Sequence, residues 1–210
     1  MIDIQKITCS ALGTNLYILT DVASGKQAIV DCPPVRNKQL QFLTEKLTGK
    51  LEYIFLTHGH FDHILGLGDV QERFGGKIVI HKNDEECLSD HEKALCRWMP
   101  VNPPHYKADV VLQGGEVLEL GESRFEVLHT PGHTKGSVCY KCEDVLFSGD
   151  TLFRETCGRV DFPGGDANEM QNSLNRLVAL QGDLRVLPGH NEETTLSHER
   201  QYNPYIINGV

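Results

Sequence analysis

Four apolar runs in this chain end alike, each in a histidine or aspartate flanked by glycine or proline. Leu51 to Leu56 runs into Thr57-His58-Gly59-His60-Phe61-Asp62-His63, and the other three endings are Thr130-Pro131-Gly132-His133, Ser148-Gly149-Asp150-Thr151 and Leu187-Pro188-Gly189-His190. Strands that stop in polar turns of this kind require a rigid scaffold whose strand ends meet. Side chains two apart converge from an extended loop, and Gly59 permits the tight backbone that convergence needs. Imidazole nitrogens and carboxylate oxygens are good ligands for zinc and similar divalent ions. Taken singly, each ending reads as an ordinary turn. Together they offer His58, His60, Asp62, His63, His133, Asp150 and His190, too many donors for one tetrahedral ion but suited to two ions sharing a carboxylate.

The rest of the chain supplies the scaffold. Short apolar runs predict strands over 14–20 and 27–31, and Leu40, Phe42, Leu43 and Leu47 predict a helix over about 36–48 ending at Gly49. After the His-rich turn a helix is expected to Phe74, stopped by Gly75-Gly76, then a strand from Lys77 to Ile80 and a polar helix from about Asn83 to Trp98. Pro100, Pro103 and Pro104 argue against regular structure over 99–107, which reads as an exposed connector or lid. Strands follow near 109–112, 116–120, 124–128, 137–142 and 145–149, then a helix over 169–180 and a last strand from Leu184 to Leu187. Strands and helices in both halves suit a sheet sandwich covered by helices on its outer faces, in one domain spanning 1–210.

Composition narrows the partners. With 20 Lys and Arg against 29 Asp and Glu, the formal charge of −9 disfavours nucleic acid and anionic membrane as partners. No segment reaches the roughly 20 continuous apolar residues that span a bilayer. The start, Met1-Ile2-Asp3-Ile4-Gln5-Lys6, lacks the layout of a secretory signal, and seven cysteines form no paired framework, so a cytoplasmic location is expected.

These motifs resemble the metallo-β-lactamase fold superfamily over almost the whole chain. The resemblance implies an α/β fold, an αβ/βα four-layer sandwich of two mixed sheets with outer helices and the site at one edge. It implies one metal on His58, His60 and His133, a second on Asp62, His63 and His190, and Asp150 bridging them. Two such ions, zinc first with iron or manganese as alternatives, share and acidify a water for attack on a carbonyl. Asp62 and Asp150 are then the carboxylates carrying the chemistry.

Within the superfamily, Asp150-Thr151-Leu152-Phe153 followed by Cys157-Gly158-Arg159 resembles glyoxalase II, which hydrolyses S-2-hydroxyacylglutathione thioesters such as S-lactoylglutathione. A basic residue matching Arg159 contacts glutathione in that family, which implies Arg159 as the substrate-binding residue; an exposed arginine paired with an acid is the alternative reading. Two features depart from the larger enzymes: the sequence stops short of their C-terminal helical domain, and Val160-Asp161-Phe162 replaces their aromatic pair. The tail, Gly189-His190-Asn191-Glu192-Glu193-Thr194-Thr195 with Glu199-Arg200 and Asn203-Pro204, resembles short single-domain glyoxalase II-like hydrolases. The expected substrate is therefore a small-molecule thioester, a glutathione conjugate among the options. The rival from another reaction class is a persulfide dioxygenase with one iron on His58, His133 and Asp150. It shares the Gly158-Arg159-Val160-Asp161-Phe162 stretch but commonly has Asp-Tyr where Asn191-Glu192 stands. A lactonase or nuclease of the same fold is a further alternative, the nuclease disfavoured by charge; a class B lactamase is disfavoured because cysteine commonly stands at the Asp150 position.

Other residues carry less. Cys139-x-x-Cys142 on a strand points to opposite faces, which argues against a redox or zinc pair. His81, His91, His105, His129 and His198 have no second ligand at a telling spacing; His129 could brace the His133 turn. Lys135 could help an anionic substrate but reads better as a solvated lysine, and Tyr106 and Trp98 read equally as substrate contacts or as anchors of the lid. Gly66-x-Gly68 is too short for a nucleotide loop, with Gln71 in the third glycine position.

Overall fold

The computed structural model describes residues 1–98 and 105–210. Its first sheet runs in the order β1 (Ile2–Cys9), β2 (Thr14–Asp21), β3 (Gln27–Val30), β4 (Leu51–Phe55), β5 (Gly75–His81) and β6 (Val110–Leu112). The β1–β3 pairs are antiparallel and the β3–β6 pairs parallel. In the second sheet the order is β7 (Val117–Leu120), β8 (Ser123–His129), β9 (Val138–Cys142), β10 (Val145–Gly149), β13 (Arg185–Pro188) and β14 (Thr194–Thr195). All its pairs are antiparallel except β10 with β13. A separate two-stranded ribbon joins β11 (Leu152–Phe153) to β12 (Thr156–Cys157).

Strand alternation sorts the apolar residues into three layers. Along β4, Tyr53 and Phe55 face the second sheet while Ile54 faces outward; along β5, Val79 faces inward while Ile78 and Ile80 face outward. The inner layer joins Tyr17, Phe55, Phe125, Tyr140 and Phe147, with Phe55 and Tyr140 ring centroids 5.1 Å apart. On one outer face lie α1 (Asn37–Lys46), α2 (Phe61–Ile64) and α3 (Leu67–Phe74), which bury Leu43, Ile64, Leu67, Val70 and Phe74. On the other lie α4 (Ala167–Val178) and α5 (Leu196–Tyr202), which bury Met170, Leu174, Leu177 and Leu196, followed by α6 (Pro204–Ile207). The expected four-layer α/β sandwich is the observed one. Cys139 belongs to the outer layer and Cys142 to the inner one, so the pair is split across the sheet as expected.

Several expectations need correction. The helix predicted from Asn83 to Trp98 does not form; short 3-10 turns at Glu85–Leu88 and Cys96–Trp98 are separated by irregular turns. Aspartates here bond backbone groups that a helix would use or hide: Asp90 accepts from the Glu92 and Lys93 amides, and Asp84 accepts from two distant loops. The helix predicted up to Phe74 is two helices, interrupted where the Gly66 amide donates to Cys32 O at 2.8 Å. The edge strand β1 and the elements β11, β12, β14, α5 and α6 were not predicted. The Glu199-Arg200 and Asn203-Pro204 tail is tied down from within: the Glu199 carboxylate accepts from Thr194 Oγ1, the Glu155 amide and Asn203 Nδ2. Of the connector over 99–107, residues 99–104 lie outside the described residues. Among the described residues no helix is long and apolar enough to cross a membrane.

Candidate metal centre

Strand register brings the ligand turns together. Val30, Phe55 and Val79 are aligned across the parallel strands β3, β4 and β5, so Asp31, the 57–63 turn and Asp84 emerge at one sheet edge. In the second sheet β10 and β13 run parallel and end at Asp150 and His190, and the β8–β9 turn carrying His133 opens at the same edge. The two sheets are stitched there by Val138 N to Thr57 O at 2.8 Å, Asn15 N to Gly189 O at 2.7 Å and Tyr17 Oη to Pro188 O at 2.7 Å. Gly189 faces the centre so closely that a Cβ would lie 2.2 Å from Asp150 Oδ1, so no other residue fits there without displacing the carboxylate.

All seven predicted donors converge. Three groups have ligand atoms within 4.8 Å of one another: His58, His60 and His133; His58, His63 and Asp150; and Asp62, His63 and His190. His60 Nδ1 lies 2.9 Å from His133 Nε2, and His63 Nε2 lies 3.3 Å from His190 Nε2. Asp150 stands between the groups, Oδ1 3.5 Å from His63 Nε2 and Oδ2 3.6 Å from His133 Nε2 and 3.5 Å from His190 Nε2. Four imidazoles anchor their outer nitrogen to the protein: His58 Nδ1 on Thr57 Oγ1, His63 Nδ1 on Asp31, His133 Nδ1 on Arg159 O and His190 Nδ1 on Leu12 O. Each thereby turns Nε2 inward. His58 Nε2 and Asp150 Oδ1 are buried with no hydrogen-bond partner. Orphaned acceptors among converging nitrogens are costly unless a cation satisfies them, so this donor set fits a divalent metal centre.

Charge is divided across the centre. Burial, reinforced by neighbouring imidazoles, holds His58 and His60 well below the usual histidine range. Burial also opposes charge on His63, but Asp31, Asp62 and Asp150 outweigh it and raise its pKa to about 10. The same opposition is overcome at Asp62, where His63, His190 and the Thr14 hydroxyl at 3.0 Å keep the carboxyl well below the carboxylate range. At pH 7 metal-free His63 therefore carries a proton that coordination must expel, and apparent metal affinity climbs with pH up to about 10. Zinc binding to the metal-free protein is expected to release at least one proton, measured by titration calorimetry in buffers of different ionisation heat. Binding without proton release would contradict this assignment.

Asp31 is the main support that the sequence reading missed. Its carboxylate accepts from the Thr57 amide at 2.8 Å, from Thr57 Oγ1 and from His63 Nδ1 at 2.8 Å. A signal was present: Asp31 closes the apolar run Ala28-Ile29-Val30 just before Pro33-Pro34, the same pattern as the ligand turns. Above the donors opens a cleft of about 540 Å³ rimmed by Leu12, Phe61, Phe153, Arg159, Phe162 and Asn191. Arg159 thus reaches the rim, but its guanidinium is held by both Asp161 oxygens at 2.7 Å and lies 3.8 Å over the Phe162 ring. His129 is no ligand; it bonds Lys135 O at 3.0 Å and stacks on His81 at 4.1 Å, bracing the turn beyond His133. Tyr106 packs against Gly68 and the outer helical layer rather than the cleft, and the Trp98 side chain lies outside the described residues.

Comparison with known proteins agrees with this geometry. A family model described as Metallo-beta-lactamase superfamily matches residues 10–190. The chain is 31% identical to hydroxyacylglutathione hydrolase GloC of Haemophilus influenzae, over 97% of this chain and 98% of that protein. It superposes on the BLEG-1 B3 metallo-beta-lactamase with a TM-score of 0.87 at 32% identity, covering 98% of this chain and 99% of that one. It also superposes on TTHA1623, solved in a di-iron-bound form, with a TM-score of 0.83 at 31% identity, covering 96% and 99%.

Proposed function

The chain belongs to the metallo-β-lactamase superfamily and is a metal-dependent hydrolase of it; within that class we propose that it cleaves small-molecule thioesters of the S-2-hydroxyacylglutathione type with two divalent ions. In this reading His58, His60 and His133 hold one ion, Asp62, His63 and His190 hold the other, and Asp150 serves both. The observation that carries it is Asp150, whose buried Oδ1 has no hydrogen-bond partner and whose two oxygens lie between converging imidazoles. Bound divalent cations supply Lewis acidity and a water of lowered pKa. The side chains do the remainder. Thr57 and Asp31 fix which nitrogen His58 and His63 turn inward, Arg159 O does so for His133, and Thr14 holds Asp62 in place. Leu12, Phe61, Phe153 and Phe162 give the cleft apolar walls against which an acyl group can lie, shielding the reacting carbonyl from bulk water.

In this reading Arg159, on the cleft rim, binds a substrate carboxylate, which would displace Asp161 from an exposed pair worth little by itself. The nitrogen-rich donor set favours zinc, and the di-iron form of TTHA1623 keeps iron as the alternative metal. The name of GloC supports a glutathione thioester, whereas that of BLEG-1 points to a different bond, so substrate is the property to measure. Zinc-loaded protein is expected to hydrolyse S-D-lactoylglutathione with saturation kinetics. Absence of turnover with zinc, iron or manganese would overturn the thioesterase reading. Oxygen uptake by iron-loaded protein on glutathione persulfide would then identify a dioxygenase instead.

A further inference from the structure

Asp84 lies just beyond β5, is 3% exposed, and makes no direct contact with the proposed metal ligands' donor atoms in any of its hydrogen bonds. Its Oδ2 accepts from the Gly59 amide at 2.9 Å and from Thr134 Oγ1 at 2.7 Å, and its Oδ1 accepts from the Gly136 amide at 2.8 Å. Gly59 is the residue between His58 and His60, and Thr134 follows His133. One carboxylate therefore grips both turns that carry the His58, His60 and His133 group, and these turns come from different sheets. The grip is tight: a Cβ on Gly136 would lie 2.5 Å from Asp84 Cγ, and one on Gly59 would lie 2.5 Å from Cys87 Cβ, in the 3-10 turn that Asp84 leads into. Asn83 adds a parallel tether by donating to Lys135 O at 3.1 Å.

We propose that Asp84 is a positioning residue that clamps the His58–His60 turn to the His133 turn and so sets the cation affinity of that imidazole group. The other half of the centre has its own support, because Asp31 holds His63 directly; Asp31 also reaches His58 through Thr57 but is attached to neither Thr134 nor Gly136, so it does not join the two turns. Burying a carboxylate costs free energy, and burial does raise the pKa of Asp84. Three donors on two ligand turns compensate that cost only while the turns stay together, which makes the clamp cooperative. A residue serving the fold alone would weaken both ions equally when removed. Asp84 is expected to discriminate between them. The inference rests on the proposed assignment of ligands to two ions.

The test is cadmium binding to the full chain, read by cadmium NMR and chelator competition, in the unsubstituted protein, Asp84→Asn and Thr134→Val. The unsubstituted protein is expected to give two resonances. In Asp84→Asn the ion on three imidazoles should lose about 10–100-fold in affinity, the cost typical of groups behind metal ligands, while the other changes little. Thr134→Val leaves the carboxylate in place and should lose about 5-fold at the same ion, as for one hydrogen bond, with a smaller fall in melting temperature than Asp84→Asn; it decides the matter if Asp84→Asn does not fold. In the metal-free protein, amide exchange at Gly59 and Gly136 should accelerate in Asp84→Asn. Equal losses at both ions in the folded variants, or no loss at the three-imidazole ion, overturn the clamp while leaving the binuclear reading intact. A single resonance from the unsubstituted protein overturns the binuclear reading instead, and the clamp then stands only if the substitutions weaken that one ion. No bound cadmium defeats both.

Discussion

Alanine in place of Asp150 is expected to lower thioester turnover by more than about 100-fold and to leave a folded protein that holds fewer than two ions. Groups standing behind metal ligands commonly carry 10–100-fold in affinity or activity, and Asp150 is among the proposed ligands themselves. Its oxygens lie within 3.6 Å of the inward nitrogens of His63, His133 and His190, so both imidazole groups lose a donor at once. Stability should move far less. Asp150 Oδ1 is buried without a hydrogen bond, so its removal strands no donor, but it withdraws one of the three carboxylates that hold the His63 proton. Metal-free Asp150→Ala should consequently melt modestly below the unsubstituted metal-free protein at pH 7, with the difference closing towards pH 10. Elemental analysis, steady-state kinetics and thermal melts measure the three quantities. Retained full turnover would remove Asp150 from the centre, and a collapse of the metal-free fold would give it a structural role instead.

That contrast explains why the ligands were legible in the sequence and their supports were not. A histidine or aspartate at the end of an apolar run, set off by glycine or proline, marks a functional turn because four such turns have no common purpose except convergence. All seven donors read in this way meet at one sheet edge. Asp84 left no comparable trace. Its partners are backbone amides of Gly59 and Gly136 and one hydroxyl, distant in sequence, and its own neighbourhood read as a polar helix. The same carboxylate that clamps the ligand turns is part of why that helix is absent. The strands β4 and β5 were readable as the apolar runs Leu51 to Leu56 and Lys77 to Ile80, whereas β1 was not, because its mixed polar and apolar residues Gln5, Lys6 and Thr8 lie on an edge and carry little burial signal. Arg159 shows a different limit: its chemistry suits a substrate carboxylate, but only the structure reveals that Asp161 already occupies the guanidinium.

Asp31→Ala should combine both kinds of loss, in fold and in metal binding. The carboxylate is 1% exposed and takes hydrogen bonds from Thr57 and His63, so its removal strands a buried imidazole and two buried donors. Removing one partner of a buried pair typically costs about 3–5 kcal/mol. The pH dependence follows from His63, whose pKa rises from an ordinary 6.5 to about 10 in the folded chain. A raised pKa means that protonated His63 contributes its full stabilisation below pH 6.5 and loses it as pH climbs towards 10. Denaturant unfolding of the metal-free protein should therefore separate Asp31→Ala from the unsubstituted chain most widely at pH 6.5 and just below, with the gap narrowing towards pH 10. Metal binding should weaken too, by at least the roughly 10–100-fold expected for a support behind two ligands, because Asp31 orients His63 directly and His58 through Thr57. A gap that stays constant across this range would mean that His63 is not the group Asp31 stabilises. Unchanged metal affinity would mean that His58 and His63 keep their inward nitrogens without it, leaving Asp31 only the fold to hold.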